Sequence, residues 1–254
     1  MKALLSTFMR CILVIACLSY SACIKDPENP SAIPECRVYQ IMGDLNYPGD
    51  TITIRYNSKG NPIAIDKNYV TTGSTRYIFK YDKNDRLVEM AGLYNHPTSY
   101  ESLFRYSYDY KNRIKADTQY TIGFLGQKDT PEYIHEYEYD SKNRMTRYKH
   151  RSLISSGRWE YNFHYNAQGN LSKMTNESGA ETGFFNYDYD DKVNINSLHP
   201  IWQFLSQDYS RNNHSPARSY NNKGLPTALD FSNKNPGNFG ILPLRNVEII
   251  YQCR

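Results

Sequence analysis

The chain has 254 residues, of which 39% are hydrophobic and 22% are charged. Its formal net charge is only +4, and Lys and Arg lie next to Asp and Glu throughout, so we expect no nucleic-acid partner. Tyr is unusually frequent, with 24 residues against 10 Phe and 2 Trp. A chain of this size can form one large β domain, because all-β folds of this length often stay single.

The first residues have the organisation of an export signal. Lys2 and Arg10 are followed by an apolar run over residues 11–18 and by small residues directly before Cys23. The apolar run is too short to be a membrane-spanning helix. We therefore predict that residues 1–22 are a signal peptide and that the protein is exported.

Cys23 follows the small residues of the signal and precedes a polar stretch that contains Pro, residues 24–30. This arrangement resembles a bacterial lipoprotein signal, whose Cys becomes the acylated N-terminus. It predicts lipidation at Cys23, an acyl anchor in outer-membrane lipid, and a tether over residues 23–35. Two alternatives stay open, which are ordinary secretion and a competing lipidation signal that ends at Cys17.

The charges of the tether bear on which face of the membrane the protein would occupy. Lys25, Asp26 and Glu28 resemble the acidic export signals of surface lipoproteins in Bacteroidota. The resemblance implies an outer-membrane lipoprotein that faces the cell surface, and the periplasmic face is the alternative.

Two cysteines mark the ends of the exported domain. Once the signal is removed, Cys23, Cys36 and Cys253 remain, and with Cys23 acylated the other two form the one possible disulfide. Cys36 opens the first strand-like segment and Cys253 closes the last. We predict a disulfide between them, with the terminal strands side by side and the Cα atoms within about 7 Å.

A repeat fills the chain between these cysteines. Seven times a Tyr is followed by Asp or Asn, a short polar run, and an apolar residue or Pro six positions after the Tyr. Successive copies start 24 to 31 residues apart, so the chain is a repeat array. The repeat tyrosines are Tyr56, Tyr81, Tyr108, Tyr139, Tyr165, Tyr189 and Tyr220.

Each copy predicts a β-hairpin. Before the repeat Tyr, aromatic residues alternate with polar ones, as Tyr77, Phe79 and Tyr81 do in the second copy, which is typical of a strand. The Asp or Asn after the Tyr can bond the backbone two residues on, and position +4 is Gly, Asn or Asp, which tolerate the left-handed conformation. This pattern predicts a type I turn with a bulge. Val193 occupies that position in the sixth copy, where we expect a different or strained turn.

The predicted fold is therefore all-β, a single domain over residues 36–254. Seven hairpins and the terminal strands give about sixteen strands in an antiparallel meander. A sheet of more than ~10 strands usually curls or splits, so we expect a water-soluble barrel or half-barrel.

One segment departs from the hairpin pattern, residues 200–209. It begins with Pro200 and places Ile201, Phe204, Leu205 and Tyr209 at helical spacing. We predict a short helix whose apolar face plugs one end of the curled sheet. The alternative is a lid or binding anchor in which Trp202 points outward.

Two acid pairs were considered for catalysis, Glu136 with Glu138 and Asp188 with Asp190. Each pair lies on one face of a strand, and paired carboxylates ~5–10 Å apart can hydrolyse glycosides. In a chain with 26 acids such pairs arise by chance, and a solvated face explains them better.

Other chemical signatures are weak. His135 and His164 lie among strand residues without a Cys or second His at ligand spacing. The chain carries no Gly-x-Ser-x-Gly, His-Glu-x-x-His or phosphate-loop motif. We therefore predict no catalytic residues, no metal and no cofactor, and we assign no ligand-binding residues.

The motif Tyr-x-Tyr-Asp-x-x-Asn-Arg occurs at residues 106–113 and 137–144. It resembles the tyrosine-aspartate repeats of Rhs and teneurin shell proteins. Over residues 36–252 the chain more closely resembles a family of bacterial lipoproteins of unknown function with a described porin-like fold. A membrane-spanning barrel is disfavoured, because the face opposite the tyrosines carries charges such as Arg76 and Lys80.

Three classes of function follow. We favour a non-catalytic cell-surface lipoprotein that binds a ligand or partner, either a glycan or a component of an outer-membrane assembly. The alternatives are a structural repeat shell and a glycan-active hydrolase. Ligand binding predicts exposed tyrosines near Arg or Asn, a shell predicts a packed tyrosine interior, and a hydrolase predicts acids that converge in a cleft.

Overall fold

The structure is a computed structural model that describes residues 33–45, 48–182, 188–214, 217–230 and 237–253. The predicted signal peptide, Cys23 and the tether up to residue 32 lie outside the described residues. Residues 33–254 group as one compact unit, and all that follows concerns this unit. Within the described part, no helix has the length and apolar character needed to cross a membrane.

The described residues contain eighteen strands, one 3-10 helix and one α-helix. The 3-10 helix spans Ile195–Leu198 and α1 spans Pro200–Ser206. The strands are β1 (Cys36–Asp44), β2 (Asp50–Tyr56), β3 (Pro62–Lys67), β4 (Arg76–Tyr81), β5 (Leu87–Leu93), β6 (Ser99–Tyr108), β7 (Ile114–Phe124), β8 (Tyr133–Tyr139), β9 (Met145–Ser152), β10 (Arg158–Tyr165), β11 (Leu171–Asn176), β12 (Tyr189–Val193), β13 (Asn212–His214), β14 (Ala217–Tyr220), β15 (Pro226–Asp230), β16 (Gly237–Phe239), β17 (Leu242–Leu244) and β18 (Asn246–Cys253).

The predicted all-β antiparallel meander is confirmed. Fourteen strands form one sheet in the order β11-β10-β9-β8-β7-β6-β5-β4-β3-β2-β1-β18-β15-β14. The strands β12–β13 and β16–β17 form two further two-stranded sheets. Neighbours from β1 to β11 follow chain order, because each hairpin pairs with the next one along the sequence.

The first and last strands lie side by side within this sheet. Strand β1 pairs with β18 antiparallel, and the register places Cys36 directly opposite Cys253. The two sulfur atoms form a disulfide, and the Cα atoms are 4.0 Å apart. The disulfide therefore joins the first and last strands of the unit, which are separated from the β14 edge of the sheet only by β15.

The sheet is open, with β11 and β14 as its edges. Hydrogen bonds from two tyrosines connect these edges through β12. The hydroxyl of Tyr189 on β12 donates to the carbonyl of Leu171 on β11, at 2.7 Å. Tyr220 on β14 donates to the carboxylate of Asp190 on β12. Side-chain hydrogen bonds thus link β11 to β14 through β12, although the two edge strands are not paired in the sheet. Of the two predicted forms, the half-barrel therefore describes the fold better than a closed barrel.

The predicted short helix is confirmed as α1, although it ends at Ser206 and not at residue 209. His199 caps its start by accepting from the backbone N–H of Ile201, and Gln207 ends it in a left-handed conformation, φ 53°. Trp202 is only 1% exposed and packs edge-on against Phe79. An outward-pointing Trp202 is therefore wrong, and its indole fills the core under the sheet.

The two faces of the sheet differ as the alternation predicts. The concave face packs apolar residues of β1 to β5 against α1 and the β16–β17 hairpin. The outer face carries ion pairs, for example Lys80 with Glu89 at 2.6 Å and Arg147 with Glu160 at 2.7 Å. Functional groups on the concave face are therefore separated from the charges of the outer face.

The sixth copy departs from the hairpin pattern, as the sequence predicts. Val193 is buried and lies in β12, opposite Asn212 on β13. Asp190 still accepts from the backbone N–H of Lys192, but the chain then continues as a strand into the 3-10 helix. A buried β-branched residue in extended backbone is unstrained, so the turn is replaced and not distorted.

Candidate functional site

The turn residues of each copy have their hydrogen bonds satisfied within the copy itself. In the third copy, Asp109 Oδ1 accepts from the backbone N–H groups of Lys111 and Arg113, at 2.8 and 2.9 Å. Asn112 between them is left-handed, with φ 60°. Asp109 Oδ2 accepts from Arg113 Nε at 2.8 Å. One carboxylate therefore closes the turn and fixes the arginine that follows it.

Asp and Arg occur together in these turns. Asp82, Asp109 and Asp140 are each followed four residues later by an Arg that pairs with the carboxylate. The copies that start with Asn lack that Arg and carry Gly at the left-handed position instead. Each such Arg also lies over the repeat Tyr of the next copy, as Arg113 does over Tyr139 at 4.9 Å from the ring centre.

The repeat tyrosines bind the backbone of the preceding copy. The hydroxyl of Tyr139 donates to the carbonyl of Ile114 at 2.8 Å, and Ile114 is the apolar residue that ends the previous motif. Burial raises the pKa of Tyr108 to about 12. The same contact recurs for Tyr81 with Pro62, Tyr108 with Leu87, Tyr165 with Met145 and Tyr189 with Leu171.

The ladder is longer than the seven motifs. Tyr251 on β18 donates to the carbonyl of Pro226 at 2.6 Å, and Tyr56 donates to Val38 at 2.7 Å. Tyr220 is the exception, since it donates to Asp190 and is 37% exposed. The repeat tyrosines therefore form a structural ladder from copy to copy, and their hydroxyls are occupied by the fold.

A different set of groups lies on the concave face, further from the turns. Asp117 on β7 is opposite His135 on β8, His135 is opposite His150 on β9, and His150 is opposite Trp159 on β10. We call Asp117, His135, His150 and Trp159 the polar row. The fold builds it because side chains directly opposite on neighbouring strands lie within contact distance.

The members of the polar row form a directed hydrogen-bond chain. His135 Nδ1 lies 2.8 Å from Asp117 Oδ1, and His135 Nε2 lies 2.9 Å from His150 Nδ1. A carboxylate only accepts, so His135 carries a proton on Nδ1, and with both imidazoles neutral its Nε2 accepts from His150. His150 therefore donates from Nδ1, and its Nε2 holds a lone pair.

His150 is the end of this chain. His150 is only 6% exposed. Among the described residues, its Nε2 has no hydrogen-bond partner. The ring stacks on Trp159, with ring centres 3.4 Å apart and planes 10° apart. Trp159 itself is 44% exposed, so the row runs from the buried Asp117 to the surface.

Burial disfavours the charged forms of the side chains in and beside the polar row. The pKa of His150 is lowered by desolvation and by its neighbour His135, while Asp117 opposes the shift. Desolvation raises the pKa of Tyr137 well above its ordinary value, and its hydroxyl donates to Asp117 Oδ2 at 2.5 Å. Near neutral pH, His150 is therefore neutral and its Nε2 can accept a hydrogen bond.

The polar row lines a cavity of about 340 Å³ on the concave face. Helix α1 and the residues after it form the opposite wall. Besides the row, the lining includes aromatic rings and two amide side chains, namely Phe104, Gln119, Tyr137, Tyr148, Phe204 and Gln207. A cavity with apolar walls and a few convergent polar groups is the usual form of a small-molecule site.

The acid pairs Glu136 with Glu138 and Asp188 with Asp190 do not line this cavity. Glu138 lies on the outer face, 3.3 Å from Arg147 and 3.5 Å from Lys149, and Glu136 is exposed. Asp190 serves the turn and Tyr220. His164 lies 3.1 Å from Thr175 Oγ1, away from His135. Among the described residues, no three His, Cys, Asp or Glu side chains gather at a metal-binding position.

Sequence reasoning missed most of this site. Only His135 was singled out, and it was considered alone. A signal existed for one pair only, because counting from the motif turn between β8 and β9 places His135 opposite His150. No motif turn joins β7 to β8, so the position of Asp117 could not be found in this way. The connection between β9 and β10 aligns Trp159 with them, but no motif marks that register.

The comparisons with known proteins concern the repeats only. No protein-family model matches the chain, and no curated protein matches it. Among solved structures, the chain is similar to toxin assemblies: a TcdB2-TccC3-Cdc42 complex, TcdB2-TccC3 without its hypervariable C-terminal region, and the Tc holotoxin pore of Photorhabdus luminescens. The identities are 12, 13 and 12%, over 57, 69 and 71% of this chain.

These likenesses are partial. The TM-score is 0.30 for each, and the chain spans only 10 to 11% of the length of those proteins. They carry no argument about function. The turn, arginine and tyrosine contacts described above recur from copy to copy, and they define the class of fold, an antiparallel array of β-hairpin repeats.

Proposed function

We propose that this protein is a non-catalytic, lipid-anchored protein of the outer-membrane surface that binds a ligand in the cavity lined by the polar row. The observation that carries the proposal is His150, whose buried Nε2 is unpartnered among the described residues beside a cavity of about 340 Å³. A buried acceptor left without a donor costs about 1–3 kcal/mol, which a ligand that supplies the donor would recover.

The anchor rests on the sequence. Cys23 stands after small residues and before a polar tether, so acyl chains there would hold the domain at the membrane. Metabolic labelling with a palmitate analogue tests this. The Cys23→Ala variant should lose the label, whereas the matched variant Cys17→Ala should keep it. Label that follows Cys17 would place the anchor at the competing signal.

The ligand is proposed to be a polysaccharide fragment or a component of a surface protein complex. A purified chain should bind members of a glycan array, and Trp159→Ala should bind them at least tenfold more weakly. The control is Tyr110→Ala, because Tyr110 is 89% exposed in the turn between β6 and β7 and does not line the cavity. Binding that survives Trp159→Ala would show that the ligand site lies elsewhere.

A structural shell is the second candidate, and one observation favours it. A shell predicts a packed tyrosine interior, and the hydroxyls of the repeat tyrosines donate to the backbone of the neighbouring copy. For a shell, the concave face would enclose only the protein's own helix α1. Absence of binding to glycans and to co-purified surface proteins would support that function.

A further inference from the structure

We infer that the polar row is a saccharide site, in which a ring hydroxyl donates to His150 Nε2 and Trp159 provides the surface on which the sugar ring stacks. The inference rests on the proposed function and specifies its ligand. It comes from four residues on four neighbouring strands and from the direction in which their protons must point.

The direction of the hydrogen bonds requires that the ligand group next to His150 Nε2 be a hydrogen-bond donor. Asp117 is 3% exposed, and its two oxygens accept from His135 and from the Tyr137 hydroxyl. Each imidazole then donates its N–H in the direction of Asp117, and the unused lone pair is on His150 Nε2. A carboxylate or phosphate ligand brings only acceptors and would meet this lone pair and the Asp117 charge unfavourably.

Among donors, the lining favours hydroxyl groups over ammonium groups. A hydroxyl both donates and accepts, and Gln119 and Gln207 in the cavity wall offer amide groups that do the same. An ammonium only donates and is best held by a closed set of ring faces. Here the Tyr137 and Phe204 rings meet edge to face, with centres 4.9 Å apart and planes 71° apart, so these two rings do not form parallel faces around a cation.

Trp159 defines how the ligand enters. One face of its indole covers the His150 ring, and 44% of the residue is exposed on the side of β10 beyond the row. His150 Nε2 is out of contact with solvent in this arrangement. A hydroxyl therefore reaches Nε2 only when side chains around it shift. Because the indole of Trp159 is stacked on the His150 ring, binding is expected to change the environment of this indole.

Intrinsic fluorescence of the full-length chain is the first test. The chain has 2 Trp, and Trp202 is buried under the sheet at 1% exposure, so a ligand-dependent change reports chiefly on Trp159. Titration with glucose, galactose, N-acetylglucosamine and their β-linked oligomers should give a saturable change for at least one sugar. Tetramethylammonium is the cationic comparison and should give none.

Two variants test separately the hydrogen-bond acceptor, His150 Nε2, and the stacking surface, Trp159. His150→Phe keeps a ring against Trp159 and removes the lone pair, so the Kd measured by calorimetry should rise about tenfold, the equivalent of 1.4 kcal/mol. Trp159→Ala should weaken binding by at least as much. His164→Phe changes a histidine on the outer face and should leave the Kd unchanged.

A measurement on the unaltered protein guards against a variant that fails to fold. The 15N resonance of His150 Nε2 should be that of an unprotonated imidazole nitrogen and should shift when the sugar is added. A protonated Nε2 overturns the inference. So does tighter binding of tetramethylammonium than of any sugar.

Two results distinguish this inference from the proposed function. Binding that Trp159→Ala weakens and His150→Phe does not would keep the ligand site and overturn the role of His150. If no sugar binds, but a surface protein is captured in a manner that depends on Trp159, the saccharide is overturned while a cavity-centred binding function stands.

Discussion

The tyrosine ladder and the polar row lie on the same sheet, yet their hydrogen bonds end differently. In the ladder, the turn carboxylate, the arginine and the tyrosine hydroxyl all find partners within the repeat array, as Asp140, Arg144 and Tyr165 do. In the polar row, the chain of bonds that starts at Asp117 ends at His150 without a partner among the described residues. The repeated part of the sequence thus maintains the wall, and the non-repeated part carries the candidate function.

The largest expected effect is a pH dependence of stability at the start of helix α1, outside the ladder and the polar row. Burial lowers the pKa of His199, which caps α1, to about 4, and its Nε2 faces Asn61 Oδ1 at 3.2 Å. The folded pKa lies below the unfolded value, so the neutral form stabilises the fold above pH 6.5 and this stabilisation is lost as pH falls toward 4. The loss should approach about 3 kcal/mol in the free energy of unfolding.

Urea unfolding at pH 7 and pH 4.5 measures this loss. His199→Asn keeps a capping side chain that does not titrate, so the fall between the two pH values should be smaller in that variant. Carboxylates that titrate in the same range contribute equally to both proteins. An equal fall in the two proteins would contradict the role assigned to His199.

The next effect tests the turn carboxylate. Burial opposes ionisation of Asp140, but hydrogen bonds from Arg144 hold its pKa below the ordinary range. Asp140→Ala removes bonds to two backbone N–H groups and to Arg144, so we expect about 2–3 kcal/mol of destabilisation in urea unfolding. Asp140→Asn retains the acceptor for the backbone and should cost less.

A smaller loss is expected for the tyrosine ladder. Tyr139→Phe keeps the ring that lies under Arg113 and removes the hydroxyl that donates to the Ile114 carbonyl. The unfolding free energy should fall by about 1 kcal/mol, with no change in ligand binding. Lost binding in a stable Tyr139→Phe protein would show that the ladder itself holds ligand, contrary to the division drawn here.

The smallest effect on stability is expected for His150, in contrast to the residues of the tyrosine ladder. His150→Phe removes Nε2, a buried nitrogen that has no partner among the described residues, which is favourable. It also removes Nδ1, the donor to His135 Nε2, which is unfavourable by a similar amount, so the thermal midpoint should change by less than about 2 °C. A loss of 2 °C or more, measured by calorimetry at pH 7, would indicate that His150 supports the fold, since 1 kcal/mol is about 2–4 °C at this size.

The sequence predicted the repeated part well because its interactions are local. A turn is specified by an Asp or Asn, a left-handed residue and the apolar residue that restarts the strand, all within seven positions. The pairing of Asp with Arg could also have been predicted, since the two occur together in three copies. The destination of the tyrosine hydroxyl could not, because its acceptor lies 18 to 25 residues earlier in the copies where this contact is made.

By itself, then, the sequence determined the meander, its hairpins and the short helix, because periodicity and turn chemistry act over a few residues. Tertiary structure alone decided that the half-barrel stays open between β11 and β14, that Trp202 turns inward, and that Asp117, His135, His150 and Trp159 form one row. Those outcomes depend on register and packing between strands, and a shift of one residue would move each of these side chains to the outer face.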